Sequence, residues 1–405
     1  MKVVWPKRTL GSICEFVRGP FGGSLKKSEF VSDGFAVYEQ QHAIYNQFES
    51  IRYFITDSKF KEMQRFELCP NDLIMSCSGT MGRVAIVPNH IRKGIINQAL
   101  LKLTPSNAVV PEFLKYWMDS AVFQTSLIEQ SGGAAIQNVA SVRILKDINI
   151  FLPPLSEQQR IVAILDEAFE AIAAARSNAE QNWQNAQALF ESYLQSVFSQ
   201  RGNGWVETTI GNQVDFLAGF AFKSTQYTES KDGIRLIRGD NIVQGQLRWD
   251  GVKYLPRASA ENYSQFYFEE NDIVLAMDRP WVAAGLKVAC ITNNDLPALQ
   301  VQRTARLRVK RYLDWKYLFH MIRSSEFVTY LLDGQTGLGV PHISGKQILS
   351  FEFAMPPLSE QQIIVQKLDA LSDKTQRLES LYQRKIAALD ELKQSLLQQA
   401  FSGQL

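Results

Sequence analysis

Apolar residues recur at alternating intervals of four and three along two stretches of the chain, Ser156 to Gln200 and Ser359 to Ser402, and neither stretch contains a proline or glycine. That period marks a long helix whose apolar stripe packs on another helix. The first stripe reads Ile161, Leu165, Ala168, Ile172, Ala175, Ala179, Asn182, Ala186, Leu189 and Tyr193. The second reads Ile364, Leu368, Leu371, Thr375, Leu378, Tyr382, Lys385, Leu389, Leu392 and Leu396, each 203 residues after its counterpart. Alanine is frequent in the first where leucine and tyrosine stand in the second, so small side chains can face large ones if the two helices pair. Both stretches open with the same seven letters, PPLSEQQ, at 153–159 and 356–362. The prolines forbid an earlier start. Ser156 and Ser359 fit the N-cap, with Gln159 and Gln362 three residues on to complete a capping box. In the second copy Leu358 and Ile363 are also spaced as a hydrophobic staple.

The remaining sequence consists of short β-type runs punctuated by glycine, proline, asparagine and aspartate, with helical stretches near 111–128 and 315–331. It too repeats, more faintly: TLGSICEF at 9–16 against TIGNQVDF at 209–216, NDLI at 71–74 against NDIV at 271–274, and GRVAIV at 82–87 against GLKVACI at 285–291. The expected architecture is α+β with a pseudo-twofold internal repeat. A domain at 1–152 is followed by a long helix at 153–202, a second domain at 203–355 and a second long helix at 356–405.

Composition narrows the class. With 405 residues and 45% hydrophobic content the chain can bury two or three ordinary cores. The formal net charge is +2, distributed as +4 over 1–150, −4 over 151–200, +2 over 201–352 and zero over 353–405. The excess of cations in the two domain segments has the right sign for a polyanionic partner. No run reaches the length of a membrane span, and the opening residues lack the apolar core of a secretory signal, so a cytoplasmic protein is expected. Cys14, Cys69, Cys77 and Cys290 lack metal-ligand spacing, as do the four histidines. Neither a disulfide framework nor a zinc site is indicated, and the thiols are expected to be reduced and buried.

Two diverged domains, each closed by PPLSEQQ and a long helix, resemble the specificity subunit of a Type I DNA restriction-modification enzyme over essentially the whole chain. The resemblance implies two target-recognition domains, each binding one half of a bipartite site in double-stranded DNA. It implies an antiparallel pair of helices that sets the gap between half-sites and docks two modification subunits, with two restriction subunits completing the complex. It places S-adenosylmethionine, ATP and magnesium on those partners, leaving this chain without catalysis or cofactor.

A base reader needs donors on loops that approach the groove closely, and cations for phosphates. The first domain offers Gly22, Gly23, Ser24, Lys26 and Lys27 in RGPFGGSLKK, Ser78, Thr80 and Arg83 in SCSGTMGR, and Gln137 and Asn138 in SGGAAIQN. The second offers Lys223, Ser224, Arg238, Asn241, Arg279 and Trp281. In RTARLRVKR, Arg306, Arg308 and Lys310 alternate and would share one face of a strand, either toward DNA or as a charged edge strand. DRPW at 278–281 departs from an amino-methyltransferase signature at Arg279, and near Lys346 the spacing of a phosphate loop fails, with Gln347 where a hydroxyl belongs. Outside the resemblance, a protein-binding adaptor remains open, as does a specificity polypeptide serving a different restriction or modification effector.

Overall fold

The structure, a computed structural model, describes residues 5–21, 23–130, 142–282, 285–333 and 342–405. By contacts the chain divides into Met1–Glu180 with Gln383–Leu405, and Gln181–Tyr382.

In the first unit the strands are β1 (Lys7–Thr9), β2 (Cys14–Arg18), β3 (Phe35–Tyr38), β4 (Tyr53–Ile55), β5 (Leu73–Ser76), β6 (Val84–Ile86), β7 (Gly94–Ile96), β8 (Leu100–Pro105) and β9 (Asn149–Phe151). An antiparallel sheet runs β2-β8-β5-β6, a smaller mixed sheet runs β4-β3-β7, and β1 pairs with β9. The central strands are buried on both faces, which is why their sequences read as continuous apolar runs. Leu73, Met75, Leu101 and Leu103 face Phe113, Leu114 and Trp117 of the helix Pro111–Asp119, whereas Ile74 and Leu100 face Ala36, Tyr38 and Ile96 of the smaller sheet.

The second unit repeats the plan. Its strands are β10 (Val206–Thr209), β11 (Val214–Ala218), β12 (Ile234–Ile237), β13 (Gln244–Gly245), β14 (Lys253–Leu255), β15 (Ile273–Ala276), β16 (Trp281–Val282), β17 (Gly285–Leu286), β18 (Val288–Cys290), β19 (Ala298–Gln300), β20 (Thr304–Val309) and β21 (Glu352–Met355). The sheets β11-β20-β15-β18-β13 and β14-β12-β19 match those of the first unit, with β13 added at one edge and the β16–β17 hairpin inserted before β18.

The two long helices are Leu155–Phe198 and Leu358–Phe401, 44 residues each. In the first unit Ile161 and Leu165 share a core with Leu397 and Ala400, and further along Arg176 bridges to Asp390, so the segments run antiparallel. In the second unit Leu194, Val197 and Phe198 share a core with Val365 and Leu368.

Both helix starts differ from the capping box read in the sequence. The cap lies two residues earlier, with Pro154 O accepting from the Glu157 and Gln158 N–H groups, and Pro357 O from Glu360 and Gln361. Ser156, Gln159, Ser359 and Gln362 are exposed, and Leu358 and Ile363 form no buried staple. The preceding glutamine of each pair does the work. Gln158 is fully buried; its Oε1 accepts from Val110 N–H at 2.8 Å and its Nε2 donates to Ala108 O at 3.1 Å and Pro153 O at 2.8 Å. Gln361 repeats this with Asp314 N–H at 2.8 Å, Tyr312 O at 3.0 Å and Pro356 O at 2.8 Å. A second tie recurs about two turns further along each long helix. Tyr116 donates to Asp166, and His320 Nε2 lies 2.9 Å from Asp369, whose pKa that contact, with Lys316, holds down at about 2 against the effect of burial.

The apolar seams need a correction as well. The column Leu165, Ile172, Ala179, Ala186 and Tyr193 faces inward as read, as does Leu368, Thr375, Tyr382, Leu389 and Leu396. The alternate column lies one residue later over much of its length. Trp183 and Phe190 are half-buried where Asn182 and Leu189 are exposed, and Glu379 and Ile386 where Leu378 and Lys385 are exposed; Leu392 is also exposed. Ile161 is buried, whereas Ile364 and Leu371 are half-buried beside Val365 and Ser372. Spacing alone leaves this offset open, because adjacent columns of a 3.6-residue helix both satisfy a four-three count over a few turns.

Of the cysteines, Cys14 and Cys77 are buried, Cys290 is half-buried and Cys69 is exposed, so burial is not general as expected. Among the described residues no helix is long and apolar enough to cross a membrane, and no cluster of side chains fits a metal ion.

Candidate nucleic-acid interface

Strand register brings the loops of each domain to one end of its large sheet. Arg18 at the end of β2 lies opposite Leu101, Ser76 at the end of β5 lies opposite Leu100, and Met75 lies opposite Val84. The connections beginning at Gly19, Cys77 and Asn97 therefore open at the same end. The chain leaving β3 joins them, since Asn97 N–H donates to Tyr38 O and Ser78 Oγ to Gln40 Oε1 at 3.3 Å. In the second domain Ala218 lies opposite Ala305, Ala276 opposite Thr304 and Leu275 opposite Val288, with Val301 N–H donating to Ile237 O. Gly19 and Gly219 are required here, because a Cβ would sit 1.9 Å from Asn97 O or 2.0 Å from Val301 O.

The candidates read from the sequence divide three ways. Thr80 and Arg83 are exposed at this loop end, with Ser78 half-buried beside them; Arg279 is exposed at the matching turn. Gly23, Ser24, Lys26, Lys27, Lys223 and Ser224 are exposed further along the first connection, where Leu25 and Phe222 turn inward onto the smaller sheets. Trp281 is 43% exposed on the inserted hairpin and lines a cavity of about 410 Å³ with Ala188, Glu191 and Gln195 of the first long helix. Gly22, Gln137 and Asn138 lie outside the described residues.

A third set is engaged within the fold. Asn241 is buried, its Oδ1 accepting from Arg238 N–H and its Nδ2 donating to Arg248 O. Arg238 pairs with Asp240 at 2.6 Å. The alternating cations of β20 do not form an open face or an edge, because β20 lies between β11 and β15. Arg306 is 9% exposed and donates from Nη1 to Gln265 O at 3.0 Å and Tyr267 O at 2.8 Å. Lys102, its equivalent in the first domain, donates to Glu67 O at 2.7 Å, so this cation serves the same carbonyl site in both repeats. Arg308 holds Asp272 through two bonds, at 2.7 and 2.8 Å, and Lys310 lies 3.9 Å from Asp215. The physical reason is the sheet order: an alternating strand presents an exposed face only where no second layer covers it.

The profile described as Type I restriction modification DNA specificity domain matches residues 2–180 and again 203–387. The chain belongs to this family. It is similar to the Type I restriction enzyme MjaVIII specificity subunit of Methanocaldococcus jannaschii, at 25% identity, over 78% of this chain and 76% of that protein. The fold matches a chain from a solved structure concerned with complex assembly and conformational transition of the type I R-M system, with a TM-score of 0.80, 19% identity and coverage of 99% and 98%. It also matches the HsdS subunit from Thermoanaerobacter tengcongensis, with a TM-score of 0.64, 20% identity and coverage of 99% and 97%. The chain is thus a Type I specificity subunit with two specificity domains.

At the loop end of the second specificity domain several residues join that the sequence did not single out. Lys287 occupies the place of Arg83, since Ala276 N–H donates to Lys287 O as Ser76 N–H donates to Arg83 O. Burial pushes the Lys287 ammonium down, Asp240 opposes this, and Arg248 and Arg279 push it further. Asp278 binds Arg303 at 2.6 Å and His342 Nδ1 at 2.5 Å; burial raises its carboxyl, and these two partners outweigh that and lower it. Five cations, Arg238, Arg248, Arg279, Lys287 and Arg303, thus stand against Asp240 and Asp278, although the unit as a whole carries no net formal charge. Neighbouring positions along the chain carry no sign of this, because the five come from five separate connections between strands. The likeness of GRVAIV at 82–87 to GLKVACI at 285–291, aligned on Val84 and Val288, would have found Lys287 from Arg83.

Proposed function

We propose that the loop end of each large sheet binds one half of a bipartite DNA site. The observation that carries this reading is that one scaffold appears twice with different groups at equivalent places: Ser78 and Asp278, Gly79 and Arg279, Arg83 and Lys287. A duplicated scaffold with altered tips suits the reading of two different sequences. The exposed cations hold phosphates, and polar tips discriminate bases. The two long helices set the gap between half-sites and dock two modification subunits, to which two restriction subunits are added. Methylation with S-adenosylmethionine and ATP-dependent, magnesium-requiring translocation and cleavage reside on those partners, in the cytoplasm, while this chain supplies sequence recognition without catalysis.

The test is selection of duplexes from a random library by the full-length chain, followed by affinity measurements on the selected site at several salt concentrations. Two half-sites at a fixed gap should emerge, and affinity should fall steeply with salt as phosphate contacts release counterions. Absence of an enriched sequence, or an affinity indifferent to salt, refutes the reading.

A further inference from the structure

The turns that follow β5 and β15 begin alike. Asn71 and Asn271 ahead of them take left-handed φ angles of 68° and 71°, and Cys77 and Met277 donate their N–H groups to Ala99 O and Arg303 O. Residues 79 and 279 therefore occupy the same place, and both are left-handed: Gly79 at φ 65° and Arg279 at φ 45°. Glycine adopts this conformation freely, whereas an arginine there is strained. In the first domain glycine fills this place.

Arg279 is exposed and makes no hydrogen bond or ion pair among the described residues. The adjacent carboxylate is already engaged, since Asp278 binds both Arg303 and His342. The other charges near Lys287 are Arg248 and Asp240, and Asp240 pairs with Arg238. A strained arginine with a free fork of donors, at the tip of a cationic loop cluster, is built for a ligand outside the chain.

Resting on the reading of this end as the DNA-binding surface, we propose that Arg279 is a specificity-determining residue that reads a guanine in the half-site of the second domain. Its planar guanidinium donates two parallel hydrogen bonds to guanine O6 and N7 in the major groove, an edge that no other base presents. Lys287 and Arg248 beside it serve the flanking phosphates. Asp278 acts as a positioning residue: by engaging Arg303 and His342 it fixes the turn and leaves Arg279 unclaimed.

The experiment compares the full-length chain with Arg279→Gly and Arg279→Gln in selection from a random duplex library, alongside thermal unfolding. Both variants should retain two half-sites at the same gap. At one position of one half-site, a guanine preference of about tenfold or more should fall to near none. The unfolding midpoint of Arg279→Gly should not drop, because glycine relaxes the turn. Retention of every guanine preference by both variants overturns the assignment, and so does a uniform loss across all sequences with a shallower salt dependence, which marks a phosphate contact. If the unaltered chain enriches no motif, the DNA-binding reading falls and takes this assignment with it; a motif unchanged by substitution removes the assignment alone.

Discussion

Arg306 illustrates how a residue type misleads when its surroundings are unknown. Alternation with Arg308 and Lys310 resembles an exposed basic face, yet the strand is interior and the guanidinium caps two backbone carbonyls. Replacing it with methionine strands those carbonyls, and a buried acceptor left without a donor costs about 1–3 kcal/mol. Chemical denaturation of Arg306→Met should show a loss of that size, while the selected DNA sequence stays the same. Arg306→Lys should recover part of the stability, because Lys102 fills the same site in the first domain. A changed DNA motif with unchanged stability would return Arg306 to the interface. Lys287 is the opposite case: an unremarkable lysine in sequence, it becomes significant through the turn it shares with Arg83.

Among elements, the long helices were the most legible. Uninterrupted four-three spacing and absence of proline and glycine specify them, and the helices end within two residues of the stretches so marked. What the spacing left open was which of two adjacent columns faces inward, since that depends on the partner's side chains. Leu165 and Leu189 separate the alternatives: the first is fully buried and the second is 59% exposed. Leu165→Ala should therefore destabilise the chain by about 2–5 kcal/mol. Leu189→Ala should stay within about 0.5 kcal/mol. Equal losses in denaturant unfolding would restore the column read from the sequence. The strands were legible as β-type runs, but not their order, because pairing of β3 with β7 and of β12 with β19 joins residues about 60 apart. The loop end that forms the candidate interface follows from that order, and so lay beyond a linear reading.

For the whole molecule, the internal repeat carried most of the information. One duplicated phrase predicted two domains and two helices of equal length, and the family profile matches the chain twice. The proposed gap-setting role then makes helix length a functional quantity. Adding seven residues to each long helix preserves the four-three seam and lengthens each by about 10 Å, equivalent to roughly three base pairs. Selection from a random library should return the same half-sites with a gap larger by about three; an unchanged gap would assign the spacing to another part of the chain.

The paired amides Gln158 and Gln361 give the start of each rod a fixed azimuth. Because one side chain grips two carbonyls and an N–H of its own domain, the first turn cannot swivel, and every later residue inherits its bearing from that mark. A single residue inserted just beyond it would rotate all that follows by about 100°. Seven would turn it by about 700°, within about 20° of two full circles. These helices are thus indexed in phase as well as in length, and the chain tolerates change in whole heptads where it would reject a smaller step.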